Sequence, residues 1–235
     1  MYSVCDDGIY EFECPQGHHT TTVLRTPKHE VLYTIGANAF LDGYFRDAIA
    51  SFASALERYY EFALRIISRH KKITLEMFME TWGFMPNQSE RQYGAFITVW
   101  MIERKGEPYT KFSKTQIDKS NTLRNGVIHK GNIPTPAQCL EYGQYVMDII
   151  APIEKVLLAD YAAAHKDECF ALFRDESTKR ATPITALSIF SVLDSALKND
   201  DKKLEPIIAR LEEVRTYKGN FSVGVKHQMV THHRK

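Results

Sequence analysis

Apolar positions alternate with polar ones near the start of the chain and then, from about Pro27, fall three and four residues apart. Over residues 9–24, Ile9, Tyr10 and Phe12 lead into Cys14-Pro15-Gln16-Gly17-His18 and then the β-branched run Thr20-Thr21-Thr22-Val23-Leu24. That order predicts a strand, a turn and a second strand. Helical spacing follows over His29 to about Leu41 and from Tyr44 through about His70. In the second stretch Ala48, Ile49, Phe52, Leu56, Tyr59, Ala63, Ile66 and Ile67 recur mostly at three and four. Further helices are predicted over 74–82, 89–104, from about Lys114 toward residue 124, and over 136–159. Ser89-Glu90 and Thr135-Pro136 read as capped starts, because Ser or Thr accepts from free amides and Pro at the first helical position loses no hydrogen bond. Pro86-Asn87 and Gly131-Asn132-Ile133-Pro134 separate the segments. Beyond Lys166 two more helices are expected, one after Thr182-Pro183 to about Leu197 and one from about Leu204 to Val214. From Lys218 the chain is His-rich and basic, and a frayed end is expected.

The pattern therefore predicts a mainly α fold in three parts. A short N-terminal β-hairpin occupies 1–26, a helical bundle 27–165, and a helical extension with a basic tail 166–235. At 235 residues with 44% hydrophobic positions, 13 Phe and 12 Tyr, the chain can bury a sizeable core. A net charge of +1 supplies no global attraction to a polyanion, so any such site must be local. No apolar run approaches a membrane span, and the N-terminus lacks the basic-then-apolar order of a signal peptide. Four scattered cysteines, Cys5, Cys14, Cys139 and Cys169, do not form a disulfide framework. Together these features predict a cytoplasmic protein with no membrane partner.

Chemistry concentrates in Leu123-Arg124-Asn125-Gly126-Val127-Ile128-His129-Lys130-Gly131. Arg can clamp a phosphate through its planar fork, and His can move a proton near neutrality. Both suit RNA cleavage without a metal, in which the 2′-hydroxyl loses a proton, the phosphorane is charge-stabilised and the leaving 5′-oxygen gains a proton. On a regular helix Asn125 and His129 share a face, whereas Arg124 and His129 diverge by roughly 140°. A distorted or terminating helix at Gly126 and Gly131 would bring them closer.

This segment resembles the Arg-x4-6-His signature of the HEPN ribonucleases, with the polar residue after Arg that the family commonly carries. The looser resemblance covers about 28–160 as a helical bundle. It implies a HEPN-like, metal-independent endoribonuclease, acting as a toxin, an antiviral effector or an RNA-processing nuclease. It also implies a homodimer whose two motifs face each other across a cleft. Arg124 would bind the scissile phosphate, His129 would transfer protons, and Asn125 would orient one of them. In one subgroup, toxins silenced by nucleotidyltransferase partners, a Tyr lies two positions after the motif His. Gly131 stands there in this chain, which counts against that mode of control.

Around the motif, Arg104 to Lys130 holds seven basic residues against two acidic ones, a surface suited to phosphate, with Lys119 and Lys130 the expected RNA contacts. An ordinary structural role would instead pair Arg124 with a carboxylate and leave His129 at a helix C-terminus. Cys5, Cys14 and His18, with His19 adjacent, invite a zinc site, but half of a zinc-ribbon ligand set is missing. A turn at Pro15-Gln16-Gly17 with Cys14 as a small buried residue accounts for the same letters, so no cofactor is expected and zinc is the alternative. Glu57 falls on the long helix and reads as a solvated charge. His227, His232 and His233 read as solvated tail residues. RNA and a second copy are the expected partners, with an antitoxin or another regulatory protein as a further one. The rival functions are a non-catalytic HEPN-like module that binds RNA or protein, and a helical scaffold with a zinc-bearing N-terminus.

Overall fold

The structure is a computed structural model that describes residues 5–85, 89–171, 182–184, 203–216 and 228–229. It is mainly helical with a short antiparallel hairpin at its N-terminal end. Strands β1 (Ile9–Glu13) and β2 (His19–Leu24) pair from Ile9 opposite Val23 to Glu13 opposite His19. Gly17, at φ +80°, closes the turn by donating its backbone N–H to the Cys14 carbonyl at 2.8 Å. Helices α1 (Lys28–Leu41) and α2 (Phe45–His70) follow as an antiparallel pair. Then come α3 (Leu75–Trp82), α4 (Ser89–Glu103), α5 (Lys114–Lys130), α6 (Pro136–Asp160), α7 (Ala162–Cys169) and α8 (Leu204–Thr216).

Helix α2 is the hub of the bundle, touching α1, α3, α4, α5, α6 and α7. Its buried positions, from Ala48 and Ile49 through Phe52, Leu56, Tyr59, Ala63 and Ile66 to Ile67, cover more than one stripe, as a helix surrounded by others requires. Thr135 caps α6 by accepting from the Gln138 amide, with Pro136 in the first turn. Ser113 does the same for α5 with Gln116, completing a capping box. Phe52 lies against Gly143 and Tyr59 bonds Glu154, so α2 and α6 run in the same direction. A Cβ on Gly143 would meet Leu204 at 2.6 Å and Phe52 at 2.9 Å. Gly143→Ala is therefore expected to overpack this three-helix contact and lower stability by about 1–3 kcal/mol in urea unfolding. An unchanged midpoint would show that Leu204 moves aside without cost.

Two features depart from the sequence expectations. Thr182-Pro183, after which a helix is expected, lies in β3 (Thr182–Ile184), which pairs in parallel with β2, while β4 (Gln228–Met229) pairs with β1 in a stretch expected to fray. The order β3-β2-β1-β4 makes the hairpin the centre of a four-stranded sheet, with Pro183 on an edge strand, where a missing N–H costs no ladder bond. The expected helix to about Leu197 and the histidines His227, His232 and His233 lie outside the described residues. Helix α8, in the expected helical extension, buries Leu204, Ile207, Ile208 and Leu211 in the main core against α1 and α6. Among the described residues no helix is long and apolar enough to cross a membrane.

Candidate functional site

Helix α5 is regular through the motif and stops cleanly after it. Gly131, at φ +72°, takes the left-handed cap position, and the Asn132 amide bonds back to the Gly126 carbonyl at 3.1 Å. Gly126 is buried, and a Cβ there would meet the Asn132 side-chain nitrogen at 2.8 Å. Both glycines thus serve the end of the helix and not a distortion inside it. Because the helix stays regular, Arg124 and His129 keep their angular divergence, and the expected convergence within one chain does not occur.

Arg124 turns inward. Its Nη2 donates to Glu57 Oε1 at 2.6 Å and its Nη1 to Asn125 Oδ1 at 2.8 Å, both in half-buried surroundings. Glu57, read from sequence as a solvated charge, is instead the carboxylate partner that an ordinary structural role for Arg124 would require. His129 is exposed on the last turn, next to Lys130, which is also exposed. The motif therefore splits into an anchored Arg124–Asn125 couple and a solvent-facing imidazole.

A cleft of about 110 Å³ opens beside Arg124 and Asn125, between α2, α4, α5 and α6. Tyr60, Tyr93, Tyr142 and Tyr145 contribute its aromatic walls, and Asn121, Glu57 and Glu90 its polar ones. Burial holds the hydroxyls of Tyr60, Tyr142 and Tyr145 protonated well above the ordinary tyrosine range. At Tyr142 the Arg124 charge pulls the other way. Tyr93 and Tyr109 share a 2.5 Å hydrogen bond that fixes the Tyr93 ring at this wall. His129 is not among the residues lining the cleft.

The basic stretch is largely answered by acids. Lys119 pairs with Glu141 at 2.8 Å, Lys114 with Asp118, Lys111 with Asp148, and Arg104 with Glu107 and Asp160. Three of these acids, Glu141, Asp148 and Asp160, come from α6, outside residues 104–130. Exposed lysine pairs of this kind exchange readily with solvent ions, so they weaken a phosphate surface without abolishing it. At the hairpin, Cys14 Sγ lies 3.4 Å from His18 Nδ1, while the Cys5 backbone bonds the Tyr10 hydroxyl. Cys14 is half-buried and not in the core, so the small-buried-residue account of it holds only in part. Among the described residues no group of three or more His, Cys, Asp or Glu is arranged to hold a metal ion.

A second polar cluster, which the sequence pattern did not reveal, lies in the core. Glu154 accepts from the Tyr59 hydroxyl at 2.9 Å and meets His165 Nε2 at 2.6 Å, while His165 Nδ1 lies 3.7 Å from Cys169 Sγ. His29 packs its ring edge-on against Tyr59. No family model, curated protein or solved structure matches this chain.

Proposed function

We propose that this chain is a metal-independent endoribonuclease of the HEPN type that acts in the cytoplasm as a homodimer. The observation that carries the reading is the Arg124–Asn125 couple lining a tyrosine-walled cleft, with the exposed His129 one turn further along the same helix. In this reading the Arg124 guanidinium takes a nonbridging oxygen of the scissile phosphate, exchanging one bond to Glu57 for it. Asn125 keeps the guanidinium plane oriented. The 2′-oxygen gives up its proton and attacks phosphorus, and the 5′-oxygen leaves with a proton, producing a 2′,3′-cyclic phosphate and a 5′-hydroxyl. One imidazole cannot readily serve both sides of one phosphorus, so the second His129 comes from the partner copy. Lys119 and Lys130 hold flanking phosphates. The biological settings that fit are a toxin, an antiviral effector or an RNA-processing nuclease, with an antitoxin or another regulatory protein to restrain it.

The deciding experiment incubates purified protein with single-stranded RNA in EDTA and types the new ends, alongside light scattering. Cyclic phosphate ends from a dimeric protein support the reading. Cleavage by a strictly monomeric protein would refute the shared site.

The Glu57–Arg124 ion pair favours a second reading, a non-catalytic module for RNA or protein in which Arg124 is structural. Glu57→Gln separates the two. Loss of a half-buried charge-assisted bond should cost about 1–3 kcal/mol of stability under either reading. Under the nuclease reading alone, the released guanidinium also tightens RNA binding by about two- to fivefold, the size of a modest gain in phosphate attraction. Fluorescence anisotropy at fixed salt measures it, and unchanged affinity favours the structural role.

A further inference from the structure

Resting on the ribonuclease reading for the identity of the polymer, we propose that the tyrosine-walled cleft seats one unstacked RNA base and selects bases that carry an exocyclic amino group. Its position supports this first. Arg124 and Asn125 line the cleft, so a phosphate held by Arg124 brings the attached nucleoside beside it.

Its walls support it next. Tyr60, Tyr142 and Tyr145, from α2 and α6, are buried and form the back of the wall, whereas Tyr93 on α4 is half-buried, with Tyr60 5.7 Å behind it, and is the ring on which a flat base can stack. Tyr93 is half-buried and tied to Tyr109, so its ring is already fixed before any ligand arrives.

The polar atoms supply the selection. Glu57 and Glu90 line the cleft with carboxylate oxygens that accept hydrogen bonds, and the Asn125 side-chain oxygen already accepts from Arg124, leaving its NH₂ as a donor. Adenine, cytosine and guanine present an amino group that such acceptors can take. Uracil has a single N–H between two carbonyl oxygens, and those oxygens would face the carboxylates. The Glu57 and Glu90 carboxylates therefore discriminate against uridine, while the Asn121 and Asn125 amides accommodate a ring nitrogen or carbonyl beside the amino group.

The test measures binding of the four nucleoside 3′-monophosphates to the full chain by calorimetry, together with cleavage-site mapping on mixed-sequence RNA. At least one of 3′-AMP, 3′-CMP and 3′-GMP should bind about tenfold or more tightly than 3′-UMP. Tyr93→Ala should weaken that nucleotide by about five- to 150-fold, the range for losing one stacked base. Glu90→Gln, an exposed change that leaves the core intact, should narrow the gap to 3′-UMP. Equal binding of all four, binding lost in Arg124→Ala but unaffected by Tyr93→Ala, or an unchanged gap in Glu90→Gln overturns the base seat. Cleavage without base preference overturns it while leaving the nuclease reading intact. Selective nucleotide binding by a protein that cleaves no RNA upholds the seat and removes the nuclease reading.

Discussion

His129→Ala is expected to slow RNA cleavage by about 10²–10⁴-fold, the usual contribution of a positioned proton-transfer group. Arg124→Ala is expected to slow it by about 10²–10³-fold, as for loss of one donor to a charged transition state. The two losses should have different side effects. His129 is exposed, so its replacement leaves folding untouched. Arg124 holds Glu57 across the α2–α5 contact, so its replacement also lowers the melting temperature. A Glu57→Gln/Arg124→Ala pair then serves as the control, because it removes the stranded carboxylate and leaves the catalytic loss in place. The double variant Arg124→Ala/His129→Ala should lose less than the product of the single losses, since both groups act in one step. Asn125→Ala should cost less than either single change, because the side chain orients Arg124 through one bond. EDTA should leave the wild-type rate unchanged and DNA should be inert. Activity restored by Mg²⁺ after chelation, or 3′-hydroxyl ends from unmodified RNA, would reject this mechanism.

The helices were legible in the sequence because each buried face repeats along one continuous segment. The predicted stretches 74–82, 89–104 and 136–159 match α3, α4 and α6 to within a residue or so at each end. Pairings between segments were not legible. Glu57 and Arg124 are 67 residues apart, and periodicity shows which side of α2 is apolar without showing which of its charged residues meets α5. The tyrosine cleft was hidden for the same reason, since its walls come from α2, α4 and α6 and each tyrosine alone reads as core. The excess of basic residues near the motif is answered in part from α6, by Glu141, Asp148 and Asp160.

Strands β3 and β4 were the hardest to foresee. Three and two residues are too few to show alternation, and both pair with residues more than 150 positions away. Thr-Pro is moreover a good helix start, and only the edge position of β3 makes the proline equally acceptable in a strand. The buried cluster around Glu154 is likewise not legible in the sequence. Its members come one or two at a time from α1, α2, α6 and α7, and only their meeting in space marks Glu154 as more than a charged residue among the apolar positions of α6.

That cluster predicts a large and pH-dependent effect on stability. Glu154→Ala would leave His165 without its carboxylate partner and the Tyr59 hydroxyl without its acceptor, in surroundings that are almost closed to water. Breaking a buried pair by removing one partner costs about 3–5 kcal/mol, because the remaining charge stays desolvated. The pH dependence follows from the two histidines. Burial alone would lower His165, but the hydrogen bonds with Cys169 and Glu154 and the Glu154 charge outweigh it and carry the imidazole up to about 10. The folded state therefore keeps a proton that the unfolded chain releases near 6.5, so this stabilisation is complete below about 6.5 and fades as pH rises toward 10. His29 has the opposite sign. Burial drives it down to about 4, against the pull of Glu154, so the unfolded chain binds the extra proton and stability falls as pH drops from about 6.5 toward 4. At Glu154 burial works to raise the carboxyl, but the His165 bond, the two imidazole charges and the Tyr59 hydroxyl lower it on balance. Its contribution is lost at the acid end as well. Urea unfolding at intervals from pH 4 to 10 should thus give a maximum near pH 6.5 with decline on both sides. In Glu154→Gln the alkaline limb should flatten, because His165 loses the charge that keeps it protonated. An alkaline limb of equal slope in wild type and variant would show that His165 does not carry it.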